Sequence, residues 1–166
     1  SAVRIAGFTK YRRIASFITT GAAWSVFTAR SLAGGALELL RGAIFEFWKD
    51  WAGVDDAAQT GTLAYVPSGI QVDAILGIFV RDNSGSANTA PLISALDVAQ
   101  TEPNNNMNAF VGDFLMVDTS GAVSNGGCVK RVRTSTSRTF RYELTGSTSD
   151  HFMGFCSQGY IDERVS

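Results

Sequence analysis

The side chains able to do chemistry in this chain are few and scattered. His151 is the only histidine. A lone imidazole excludes a metal site built on two histidines. A Ser-His-Asp arrangement would have to use His151, but no Gly-x-Ser-x-Gly nucleophile elbow accompanies it, so a surface or strand-edge histidine is expected. Glycoside hydrolysis needs two carboxylates about 5–9.5 Å apart. Asp50, Asp55 and Asp56 in one stretch, Asp73 with Asp82, or Asp162 with Glu163 are the candidate pairs. Fifteen acidic residues spread over the chain produce such pairs by chance, so no catalytic residue is assigned and no self-contained enzyme is expected. Asp97, Asp113 and Asp118 offer oxygens for Ca²⁺ but not in an EF-hand loop. The phosphate-cradling patterns GxxxxGK[ST] and GxGxxG are missing as well, so neither a metal nor a cofactor is expected. Cys128 and Cys156, with no Cys-x-x-Cys, form neither a zinc site nor a disulfide framework; two buried thiols are the expectation, with one disulfide less favoured.

The aromatic residues and amides carry more. Aromatic rings stack on the C–H faces of sugars while their N–H and O–H groups bond hydroxyls. Trp24 and Trp48 lie inside alternating apolar runs and read as core. Trp51 differs, standing beside Lys49, Asp50, Asp55 and Asp56 at the start of a polar stretch. The run Asn104, Asn105 and Asn106 supplies amide donors and acceptors of the kind that read sugar hydroxyls, although Asn runs are also ordinary turn chemistry. The candidate ligand-binding residues are therefore Trp51, Asp55, Asp56, Asn104, Asn105 and Asn106, on loops at the ends of a rigid scaffold.

The scaffold is read from short apolar or alternating runs separated by Gly, Asn, Ser and Thr, the spacing of an antiparallel β-protein. Strands are expected over Lys10–Thr19, Trp24–Arg30, Leu37–Leu40, Ala43–Trp48, Thr62–Val66, Gln71–Val80, Leu92–Val98, Phe110–Asp118, Gly127–Thr134, Arg138–Leu144 and His151–Ile161. Phe45 and Phe47 flank Glu46 in a one-face-in pattern. Val72, Ala74, Leu76 and Ile78 share a face of the most apolar strand, which is expected to be central. Asp50–Gly61, Arg81–Ala90 and Thr101–Asn108 read as loops, and Asn125-Gly126 as a type I′ turn pair. Only Ala33–Arg41 admits a helical reading, which its glycines weaken. The fold expected is all-β, an antiparallel two-sheet β-sandwich forming a single domain over 1–166.

Composition points the same way. Hydrophobic residues make up 45% and charged residues 17% of the chain, below the usual quarter or so for charges, which suggests apolar surface buried against a partner. With 14 basic and 15 acidic residues and a net charge of −1, no nucleic-acid surface is expected. No run approaches the ~18 apolar residues of a transmembrane helix, and no secretory signal pattern is present.

Three stretches carry a resemblance. Gly7-Phe8-Thr9-Lys10-Tyr11-Arg12-Arg13-Ile14-Ala15-Ser16 resembles the entry strand common near the C-terminal ends of bacteriophage and prophage tail-fibre proteins. Val66-Pro67-Ser68-Gly69-Ile70-Gln71-Val72-Asp73-Ala74 is similar to a strand start in the middle of the same modules. Gln158-Gly159-Tyr160-Ile161-Asp162-Glu163-Arg164 looks like the segment that closes them. They occur in the family's order, although Ala15, Tyr160 and Val165 stand where the family usually has Gly, Trp and Gly. The resemblance implies a homotrimeric module at or near a fibre tip, assembled in the bacterial cytoplasm and carried on the virion. Its partners would be other tail or fibre proteins and a bacterial surface polysaccharide. Alternatives are a structural virion part without a ligand, such as a head-fibre, decoration or trimerisation domain, and the accessory β-domain of a polysaccharide depolymerase.

Overall fold

The computed structural model describes residues 19–20, 23–24, 27–51, 58–82, 89–99, 102–104, 112–114, 124–145 and 151–163. These form ten strands: β1 (Thr19–Thr20), β2 (Ala23–Trp24), β3 (Thr28–Ser31), β4 (Leu37–Trp51), β5 (Gln59–Thr62), β6 (Asp73–Asp82), β7 (Ala90–Ser94), β8 (Ser124–Arg133), β9 (Thr139–Thr145) and β10 (His151–Asp162). The fold is all-β. A five-stranded sheet of order β3-β4-β10-β6-β8 packs on a three-stranded sheet of order β5-β9-β7, and β1 pairs with β2. The strand pairs are antiparallel. Among the described residues no helix is long and apolar enough to cross a membrane. The weak helical signal at Ala33–Arg41 yields one 3₁₀ turn, Ala33–Gly35, after which β4 begins.

Each connection from β4 to β10 passes from one sheet to the other. Consecutive strands are therefore not neighbours, and the pairing is set by the shared core. That core meets at four rings. Phe155 of β10 lies 4.9 Å from Phe47 of β4, 5.2 Å from Phe140 and 5.1 Å from Tyr142 of β9. The last two contacts are edge-to-face, the arrangement ring quadrupoles favour. Val72, Ala74, Leu76, Ile78 and Val80 form the expected buried face around β6, which lies between β10 and β8.

The expected pair Leu37–Leu40 and Ala43–Trp48 is one 15-residue strand, kept continuous by two irregularities against β10. At the first, Phe155 faces Phe47 and Cys156 faces Phe45, so Glu46 is an extra residue. Since adjacent residues of β10 point to opposite faces, Phe45 and Phe47 do too, contrary to the one-face pattern expected from their spacing. Phe47 enters the core while Phe45 is 57% exposed. At the second, Ser157 pairs with Ile44 and Gly159 with Leu40, setting Arg41, Gly42 and Ala43 against Gln158. Gly159 has φ +147° and a Cβ there would collide with the Leu39 carbonyl oxygen, so only glycine fits.

The two bulges aim opposite charges at one turn. Glu46 accepts hydrogen bonds from the amides of Ala64 (2.7 Å) and Tyr65 (3.2 Å). Arg41 donates to the Tyr65 carbonyl at 2.8 Å and to Ser157 Oγ at 2.7 Å, with its guanidinium over the rings of Phe27 and Tyr65. With those amides taken, the strand expected at Thr62–Val66 ends at Thr62. Elsewhere the pairing outruns the turn signals. β6 continues through Asp82, where a loop was expected, because Arg81 pairs with Asn125 and Asp82 with Ser124. Asn125-Gly126 is thus strand rather than turn. The expected Leu92–Val98 strand is shifted to Ala90–Ser94; of the expected Phe110–Asp118 strand the described residues 112–114 are not strand and the rest lie outside the described residues, as does Lys10–Thr19 but for Thr19.

Replacing Phe155 with Ala removes the ring that touches the other three. The expected loss is about 3–5 kcal/mol of unfolding free energy by denaturant titration. Burial also raises the pKa of Tyr142 and of Tyr160, and at Tyr160 Asp162 adds to the effect while Arg41 opposes it. A group held protonated in the fold contributes its stability fully below its unfolded pKa, about 10 for phenol, and loses it as pH rises towards the folded value. Stability is therefore expected to decline above about pH 10, with part of the phenolate absorbance rising together with loss of the β circular dichroism signal.

Candidate functional site

The edge strands β7 and β8 stand side by side where the two sheets approach. Asp113 stitches this seam. Its carboxylate accepts from the Ile93 amide at 2.8 Å and pairs with Lys130, its own amide donates to the Pro91 carbonyl at 2.7 Å, and Lys130 Nζ donates to the Ile93 carbonyl at 2.5 Å. Beside the seam opens a groove of about 480 Å³ with Leu92, Ala95, Val98 and Val132 in its walls. Lys130, Arg131 and Arg133 also line it, with Lys130 committed to Asp113 and the two guanidiniums turned to Glu38 and Asp73 on the β6 side. A hollow of about 120 Å³, lined by Gln71, Leu96, Asp97, Arg133, Thr134 and Ser135, shares Arg133 with the groove. Arg141 donates to the Leu96 and Val98 carbonyls, both at 3.4 Å, holding the turn that follows β7.

The cations of this region differ in how firmly they are held. Arg133 bonds Asp73 and, at 2.7 Å, Glu163; the bond to Asp73 chiefly raises its pKa. Arg131 keeps 58% of its side chain exposed and reaches Glu38 through one contact at 3.2 Å. Arg131 thus keeps the most exposed side chain of the three, on the outer face of the five-stranded sheet. An apolar wall with a few convergent polar groups is the usual make-up of a small-ligand site. Of these residues the sequence offered Asp97 and Asp113 as calcium ligands and none as part of a groove, because they come together from segments far apart in the chain.

The predicted site residues are placed as follows. Trp51 is the last residue of β4 and stands opposite His151 in the register. Asn104 is exposed and makes an isolated β-bridge. Asp55, Asp56, Asn105 and Asn106 lie outside the described residues. Asn104 is not among the residues lining the groove.

His151 is not the surface or edge residue expected. It sits on the central strand β10, fully buried, with Nε2 3.0 Å from Asp82 Oδ2. Thr89, also buried, donates to the same Asp82 oxygen at 3.4 Å. The three are buried side by side, so they read as a polar fastening of β6 to β10. Asp73 and Asp82 stand at opposite ends of β6, about 30 Å apart at strand rise, which excludes them as an acid–base pair. Asp162 is buried while Glu163 is exposed and bonded to Arg133. Of the candidate calcium ligands, Asp113 is committed to Lys130 and Ile93, Asp97 lines the small hollow, and Asp118 lies outside the described residues. Among the described residues no three His, Cys, Asp or Glu side chains gather to hold a metal. Both cysteines are free thiols, half-buried rather than buried. They occupy opposite faces of the five-stranded sheet, since Cys156 pairs with Gly77 and Cys128 with Ile78. Burial pushes the Cys128 thiol pKa up, with Asp113 adding and Lys130 opposing.

The outer face of the five-stranded sheet divides in two. At one end Arg30 and Arg131 both reach the buried Glu38, at 2.6 and 3.2 Å, and Arg133 joins Asp73 to Glu163. At the other end stand Phe45 (57% exposed), Trp48 (65%), Phe79 (48%) and Val129 (61%). Trp48 is therefore not core, for the reason given at Glu46: the bulge transfers it to the outer face.

Fold and site together define an antiparallel two-sheet sandwich with an apolar-walled groove along one side and a bare apolar area on its larger sheet. No protein-family model matches the chain, and no curated protein matches it in sequence. His151→Ala would leave the buried Asp82 carboxylate with one partner fewer beside Thr89, and the expected loss is about 1–3 kcal/mol, read as a fall in the denaturation midpoint.

Proposed function

We propose that this chain is a receptor-binding module of a bacteriophage tail fibre, which attaches the virion to a bacterial surface glycan. It acts as a homotrimer alongside other fibre proteins. The observation that carries the reading is the groove beside β7 and β8. Its apolar walls accept the C–H faces of a sugar, and Lys130, whose ammonium uses two donors on Asp113 and the Ile93 carbonyl, keeps a third for a hydroxyl group at the rim. The sandwich supplies the rigid support that such a site needs. The resemblance to tail-fibre modules supports the same reading, and two of its three stretches fall in or beside the adjacent strands β6 and β10. A shallow site of this kind binds weakly alone and gains by acting in several copies on one particle.

The second reading is a structural virion part without a ligand, favoured by the exposed apolar area on the outer face. Binding of the chain to host cells and to an array of bacterial surface glycans separates the two. Retention on the array is expected, with about a tenfold loss for Val98→Asp, half-exposed on the groove wall, and unchanged folding. Trp51→Ala tests the alternative location at the end of β4. A stable assembly that binds neither cells nor glycans would establish the structural reading, and release of reducing sugar from host polysaccharide would instead mark a depolymerase domain.

A further inference from the structure

We infer that the apolar end of the outer face of the five-stranded sheet is the surface on which copies of this chain meet. The inference rests on the homotrimeric reading above and deepens it by naming the contact. The register places the residues in two rows across the sheet. One row runs Trp48, Gly154, Phe79, Gly127, and the next Phe45, Cys156, Gly77, Val129. Large side chains thus alternate with small ones along each row. A Cβ on Gly154 would touch Phe45, Trp48 and Phe79 together, so these three surround a glycine hollow. Phe152 extends the area, its ring 5.9 Å from that of Trp48.

Size and chemistry decide the occupant. At about 200 Å² per ring, the exposed fractions leave on the order of 450 Å² of bare apolar surface, comparable to the largest patch on a typical monomer. A stable interface takes about 800 Å² from each partner, so this area has the size of its dry centre, with the exposed Arg81 and Asn125 available to the rim. A sugar platform needs hydrogen-bonding side chains between its rings. Here the positions between Trp48, Phe45 and Phe79 are Gly154 and Cys156, with the Gln158 amide set aside over Gly77. The charged end of the same face is already closed on itself by ion pairs, so the unsealed apolar area is a local feature of this sheet. The hollow at Gly154 between Trp48, Phe45 and Phe79 can seat an apolar side chain of a neighbouring copy, as the head-to-tail contact of a closed ring allows. The low charged fraction of the chain, 17%, fits burial of this area between copies.

The test is the assembly state of the whole chain, read by native mass spectrometry and sedimentation at micromolar concentration. The wild type is expected to assemble. The double variant Trp48→Ser, Phe79→Ser is expected to be a folded monomer, because the replaced side chains are mostly exposed. Val129→Lys, on an edge strand, serves as a second variant should the first fold poorly, and is expected to weaken assembly at least tenfold. Cys156, inside the area, should resist alkylation in the assembled wild type and react in the dissociated variant, while Cys128 on the opposite face should not change between them. A monomeric wild type, or variants that assemble as well as it does, would overturn the inference. A wild type that binds host glycans as a monomer would sink this contact and leave the receptor reading standing; an assembly dispersed by these variants that binds no glycan would do the reverse.

Discussion

The contact between Phe155 and the rings of Phe47, Phe140 and Tyr142 is the constraint on which the rest of the molecule depends. From β4 to β10 each strand is followed by one in the opposite sheet, so no sequence of local hairpins could build either sheet first. Each pairing closes a long loop, and that entropic cost is offset only when distant strands share buried surface. The rings supply that shared surface. They join β4, β10 and β9, and with these positions set, β6 and β8 add on one side and β5 and β7 on the other.

The second constraint is the irregularity of β4. A regular strand of fifteen residues would present one set of alternate side chains to the core along its whole length. The extra residue at Glu46 reverses that alternation part-way, and the bulge spanning Arg41, Gly42 and Ala43 frees a guanidinium to turn inward. Glu46 and Arg41 then hold the Ala64–Tyr65 turn from its two polar sides, which sends the chain towards β6. The same reversal delivers Trp48 and Phe45 to the outer surface. One local insertion therefore helps to position a crossover and creates the apolar area outside.

The sandwich separates its chemistries in space. His151, Asp82 and Thr89 are polar but buried, and serve cohesion between strands. The charges at the Glu38 end of the outer face neutralise one another across several strands. At the β7–β8 seam an apolar wall lies open beside the Asp113–Lys130 pair, whereas the opposite end of the outer face is chiefly apolar.

Sequence by itself determined the all-β class and much of the core. The two-residue beat through Val72, Ala74, Leu76 and Ile78, and through Phe140, Tyr142 and Leu144, is a local property that survives folding because each strand buries one face. It also located β10 to within a residue. The tertiary structure alone decided which strands pair, where β4 is bulged, and how far β6 and β8 extend past their turn-like residues. It likewise decided that His151 is buried against Asp82 and that Trp48 is exposed. The physical reason is that a bulge and a buried polar pair depend on the partner strand, which spacing along one segment cannot reveal. The groove was illegible for the same cause: Leu92, Val98 and Arg131 lie far apart in the chain and become neighbours only when the sheet edges come together.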